Sequence, residues 1–123
     1  MSRSAFVALA CATLLLGLWV HRGGLPMGAS ARDFTGDLLW ATMLAWWIGA
    51  IAPQASQSRR GVTALGLCFA VELSQLVHTP AFDALRATTL GRLTLGSGFD
   101  PRDLVAYTVG VVVALVVERI AAT

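Results

Sequence analysis

The chain has 123 residues, of which 56% are hydrophobic and only 13% charged, and its formal net charge is +2; mean hydropathy is +0.70. Soluble domains carry about 25% charged residues, so this composition cannot cover a water-facing surface, and lipid must be the solvent. The charge is too small and too dispersed for a nucleic-acid partner, and the length allows one domain, residues 1–123.

All nine basic residues are Arg. Genomic base composition accounts for that bias without a functional cause; the alternative is a preference for the planar guanidinium fork, which matches phosphate and carboxylate. Cys11 and Cys68 both fall inside apolar runs. Neither a disulfide framework nor a metal-ligand spacing is present, so no metal and no cofactor are expected.

Four apolar runs stand out: Ala5–Val20, Leu38–Ala52, Gly61–Val77 and Leu104–Val117. A spanning helix needs about 20 residues, within a range of about 17–25, so each run must borrow flanking residues that snorkel or face protein. The pattern predicts an all-α, polytopic membrane protein of four transmembrane helices, with approximate spans 4–21, 37–52, 61–78 and 103–119.

The first run follows Arg3 and resembles a secretory signal, with Ala29-Ser30-Ala31 as a small-x-small site. His21, Arg22, two glycines and Pro26 set that site too far beyond the run. Helix 1 is therefore expected to be retained. The second span opens Gly36-Asp37-Leu38-Leu39-Trp40-Ala41-Thr42, and the fourth opens Arg102-Asp103-Leu104-Val105-Ala106-Tyr107-Thr108. Asp, Leu and Thr recur at equal offsets. One reading is a pair of helical hairpins related by a parallel repeat; the other is two helices that each begin with a carboxylate, which the helix dipole favours. Both place Asp37 and Asp103 at one depth.

The third span carries the most informative residue. Glu72 lies in Phe69-Ala70-Val71-Glu72-Leu73-Ser74-Gln75-Leu76, and a charged residue inside a span costs about 2.5–3.5 kcal/mol on insertion scales. It must face the bundle and find partners. Gln75 shares its helix face, and Asp37, Asp103 and Tyr107 approach from the neighbouring helices. The loop from Leu76 to Phe99 is long for a bundle. It is read as interfacial or re-entrant, with a short helix over Ala81–Thr89 and tight backbone at Gly91, Gly96 and Gly98. Asp100 serves as N-cap of the last helix, with Pro101 at its first position. The expected polar site is therefore Glu72, Gln75, Arg86, Asp100, Asp103, Asp37 and Tyr107. A purely structural role, in which an internally paired network fixes helix packing, competes with a ligand site.

With four spans, the N-terminus, the turn Pro53–Arg60 and the C-terminus share one face. That face carries Arg3, Arg59, Arg60 and Arg119 against Glu118 alone. The acid-free Arg59-Arg60 turn reads as cytoplasmic, which puts both termini inside.

The run Glu72-x-x-Gln75, a loop Arg (Arg86), then Asp100-x-x-Asp103-x-x-x-Tyr107-x-x-Gly110 resembles the VanZ-like bacterial membrane proteins. It departs where that family has Asn, at Tyr107, and in its longer loop. Phe34-Thr35-Gly36-Asp37-x-x-Trp40 and Arg86-Ala87-Thr88-x-x-Gly91 resemble more closely a related uncharacterised group of small bacterial membrane proteins, known only as a domain of unknown function. The resemblance implies a multi-pass protein of the bacterial cytoplasmic (inner) membrane in a cell-envelope context, and implies no established reaction.

Three functions compete. A binding module would hold a membrane lipid or a lipid-linked envelope precursor by its headgroup at the outer face. An accessory or structural subunit would assemble with a membrane protein partner or as a homo-oligomer, using the small face Ala106, Gly110 and Ala114. A membrane enzyme would use carboxylate acid–base chemistry, but no Ser–His pairing, His/Cys metal pattern or Gly-rich phosphate loop supports it, and the reading leans against it. A proton or ion path through Glu72 is a lesser variant, since no polar residues are read on the opposite half of the bundle.

Overall fold

The computed structural model describes residues 1–77, 79–89 and 100–122. Five helices lie wholly within them: α1 Arg3–His21, α2 Ala29–Ile51, α3 Gln57–Ser74, α4 Pro80–Arg86 and α5 Pro101–Ala122. Local chemistry fixes most of the starts. Ser2 accepts from the Ala5 N–H, Ser56 from Arg59 and Thr79 from Phe82, each satisfying an amide that the first turn leaves open. Pro80 and Pro101 stand at first helical positions, where a missing N–H costs nothing.

Length and apolarity qualify α1, α2 and α5 to cross a membrane; at 1.5 Å per residue they reach roughly 28–35 Å, against a hydrocarbon core of about 30 Å. α3 has 18 residues but carries Arg59, Arg60 and Glu72. Large apolar side chains line the outside, including Leu15, Ile51, Val62 and Ile120, all at least two-thirds exposed. Such a surface is at home in lipid rather than water.

The expected spans need adjusting at two ends. α2 begins at Ala29, eight residues before the expected start at position 37. The added two turns are polar, and hydropathy is blind to helix that lies outside the apolar run. Asp37 is therefore a mid-helix residue, and the reading of it as an N-terminal carboxylate does not hold. α3 ends at Ser74 rather than 78, because the chain tightens into i→i+3 turns at Gln75, Leu76 and Val77. The short helix expected over Ala81–Thr89 is α4. His78 and the glycines at 91, 96 and 98 lie outside the described residues.

The helices pair by small residues. Phe6 of α1 rests on Gly49 of α2, where a Cβ would meet the ring at 2.5 Å, and Arg3 Nε donates to Ala50 O at 2.8 Å. α1 and α2 thus form an antiparallel hairpin. α3 buries a strip of Arg60 and Gly61, then Ala64, Cys68 and Glu72 at successive turns. It runs antiparallel to α5: Gly61 faces Leu115, and Glu72 faces Tyr107. α2 and α5 run parallel, with Ser30 beside Arg102 and Leu38 beside Gly110. The small face of α5 is consumed inside the chain: Ala106, Gly110 and Ala114 are buried, and Thr42 Oγ1 donates to Gly110 O at 2.8 Å.

Candidate functional site

The α3 strip delivers Glu72 to the point where α3 ends and α5 begins. Its side chain is fully buried, at 0% exposure, so each carboxylate oxygen needs a donor. The Asp100 N–H donates to Oε1 at 2.8 Å. The Tyr107 hydroxyl donates to Oε2 at 3.0 Å, and Gln75 Nε2 lies 3.4 Å from the same oxygen. The acid also sits at the N-terminal, positive end of α5, which favours a negative group there.

Two more carboxyl groups close around it. The Asp37 side chain, from α2, lies beside that of Asp103. Asp103 in turn reaches Glu72. Residues from α2, α3 and α5 thereby meet at one depth, as helical spacing in the sequence predicted for Glu72, Gln75, Asp37, Asp103 and Tyr107.

Asp100 works through its backbone on Glu72 and through its side chain on Arg102. It accepts from the Arg102 N–H at 3.0 Å, the N-cap geometry expected of it. The Arg102 amide and guanidinium hold its carboxyl below the ordinary value. Arg102 then reaches across to Ser30 Oγ at 2.9 Å, tying the starts of α5 and α2 together.

Arg86 is placed differently from the expectation that it faces the carboxylates. Its Nη2 donates to Ser74 O at 2.6 Å and its Nη1 to Val77 O at 2.9 Å. These are main-chain carbonyls at the end of α3, where a cation is favoured. The guanidinium also lies over the Phe82 ring at 5.4 Å, so α4 folds back and caps α3. Two buried atoms at this cap have no hydrogen-bond partner among the described residues: Gln75 Oε1 and Arg86 Nε. Gln75 is 4% exposed and Arg86 9%.

The model of a family described as a protein of unknown function (DUF2809) matches residues 28–111. The chain belongs to that family. No solved structure matches it. The DUF2809 match begins at the N-cap of α2 and ends within α5, so it contains Asp37, Glu72, Gln75, Arg86, Asp100, Asp103 and Tyr107, together with Gly110 and Thr42. It leaves out α1 and the last turns of α5.

One group of polar residues escaped the sequence reading. Across the bundle from Glu72, Arg60 and Glu118 form a buried, two-pronged ion pair at 2.9 and 2.6 Å. Arg60 also stacks over Phe6 at 5.2 Å and donates to Ala55 O. The opposite half of the bundle is therefore not devoid of buried polar residues, as the sequence reading held. Its clue was topological: a four-helix up-and-down order puts the first turn of α3 against the last turns of α5. Within the DUF2809 match only Arg60 of this pair is included, since Glu118 lies beyond residue 111.

Proposed function

We propose that this DUF2809 protein is a VanZ-like, four-span protein of the bacterial cytoplasmic membrane that binds a lipid or lipid-linked headgroup beside Glu72. α3 would be the remaining span. Its charged ends support this: Arg60 and Glu72 are both buried against α5, which makes insertion tolerable despite three charges. With both termini cytoplasmic, the Glu72 cluster faces outward, and the arginine-rich turn before α3 lies inside.

The observation that carries the reading is the pair of open valences at the end of α3. Buried polar atoms in folded proteins are almost always partnered, yet among the described residues one acceptor, Gln75 Oε1, and one donor, Arg86 Nε, are both left over. A hydroxyl both donates and accepts, so a hydroxylated ligand carries a partner for either atom. The three carboxyl groups alongside disfavour a bare phosphate and favour a hydroxylated portion of the headgroup, such as glycerol or sugar. The remaining Glu72 valences hold the site in shape.

Native mass spectrometry of the detergent-purified protein tests this. Wild type is expected to retain a lipid that Gln75→Met and Arg86→Met lose, with the helical content of both variants unchanged. Equal retention by all three overturns the proposal. That outcome would favour the second reading, an accessory or structural protein whose polar network only locks helix packing. The full occupation of both Glu72 oxygens within the chain is the observation on its side.

A further inference from the structure

The end of the bundle that carries both termini holds four arginines, and three of them are committed. Arg3 bonds Ala50 O, Arg60 is neutralised by Glu118, and Arg119 Nε donates to Gln57 Oε1 at 3.0 Å. Arg59 differs. Its backbone takes part in the start of α3, accepting from Thr63 and donating to Ser56, while its side chain is exposed and without a partner among the described residues.

A groove of about 410 Å³ runs beside it, between the end of α2 and the start of α3. It is lined by Ile48, Ile51, Ala52 and Ala55 together with Arg59, Arg60 and Thr63. A second hollow, of about 450 Å³, adjoins Arg59 on the side of Ser58 and Val62. The walls face outward, and Ile51 and Val62 are more than 70% exposed. An open cation at the mouth of an apolar groove, at one end of membrane-length helices, matches one kind of molecule in charge and shape.

We propose that this groove binds an anionic phospholipid of the surrounding bilayer, with an acyl chain along Ile48, Ile51 and Ala52 and the phosphate at Arg59. Charge complementarity argues for it. Of this end's arginines only Arg60 is offset by an acid, leaving a local excess of positive charge against which an anionic headgroup gains. A guanidinium offers a phosphodiester paired donors rather than a point charge. The site is separate from the Glu72 pocket, which lies at the other end of α3, and neither proposal needs the other.

The test uses the whole protein in micelles supplied with equal amounts of phosphatidylglycerol and phosphatidylcholine, read by native mass spectrometry. Wild type is expected to retain phosphatidylglycerol over phosphatidylcholine by about fivefold, the effect of one basic residue near an anionic surface. Arg59→Gln is expected to reduce that ratio to about one, and Ala52→Phe, which fills the groove, to lower the adduct itself. Arg22→Gln, at the other end, leaves the preference unchanged. A wild-type ratio near one, or a preference that survives Arg59→Gln, overturns the proposal. Displacement of the bound phosphatidylglycerol by inorganic phosphate alone also overturns it, because the acyl chain would then contribute nothing. Arg59 is exposed, so its replacement leaves the helical content and melting profile as in wild type.

Discussion

Gly110 is where the fold can be tested most sharply. It lies in the middle of α5, against the backbone of α2, and a Cβ built there would stand 2.2 Å from Leu38 O, 3.0 Å from Ala41 Cβ and 3.1 Å from Leu38 C. Ordinary contact begins near 3.4 Å, so Gly110→Ala must push the two helices apart by roughly 1 Å. The obstacle is backbone, which no rotamer change removes. Overpacking of this kind costs about 1–3 kcal/mol. The Thr42 bond to Gly110 O, at 2.8 Å, stretches at the same time, and interhelical bonds in membrane proteins are worth about 0.6 kcal/mol. Better helix propensity for Ala returns about 0.5–1 kcal/mol. The net expectation is a loss of about 1–3 kcal/mol, read as a shift in an SDS unfolding titration. Gly66→Ala is the control, because a Cβ there meets nothing within 4 Å; it should be neutral or stabilise by up to about 1 kcal/mol. If Gly110→Ala unfolds at the same or a higher SDS fraction than Gly66→Ala, the close α2–α5 approach is refuted.

The other expectations concern the charged groups. Arg60→Ala should cost about 3–5 kcal/mol, since it strands Glu118 in the bundle, whereas Arg60→Met combined with Glu118→Leu should come within about 1 kcal/mol of wild type or exceed it; SDS unfolding of the three proteins decides. Tyr107→Phe removes the donor to Glu72 Oε2 and should cost about 1–3 kcal/mol, as for other bonds to a charged acceptor; an unchanged midpoint would mean that the hydroxyl does not reach Glu72. Arg86→Met should free α4 from the end of α3. Amide exchange over Pro80–Arg86 is then expected to accelerate at least tenfold while that of α1, α2 and α5 stays as it was. Uniform acceleration throughout would instead make Arg86 part of the global core.

What could be read from the sequence divides along physical lines. The convergence on Glu72 was legible because an acid inside an apolar run has few tolerable surroundings, and because spacing of three or four residues fixes which neighbours share its face. Tyr107 and Asp103 followed from the same rule applied to α5. Arg86 was misjudged because its acceptors are main-chain carbonyls of Ser74 and Val77, which carry no residue identity. The available hint was Thr79-Pro80, a helix start so soon after α3 that its second turn has to return to the end of that helix. Arg60 and Glu118 are 58 positions apart, and no local pattern couples them; only the order of the helices does. The start of α2 was placed late because hydropathy registers burial in lipid, while Ala29–Gly36 is helix whose exposed, polar turns carry no such mark.

Arg60 and Glu72 both find their partners in chain that is made after them: Glu118, the Asp100 amide and Tyr107. During synthesis α3 leaves the ribosome with its charges unpaired, and about 25 residues must follow before α5 begins. Insertion one helix at a time would present Arg60 and Glu72 to the bilayer uncompensated. In the proposed four-span arrangement α3 would wait at the membrane boundary and enter together with α5, against an α1–α2 hairpin already in place. In that arrangement the ion pair and the Glu72 network would set an order of biogenesis, in which α5 admits α3.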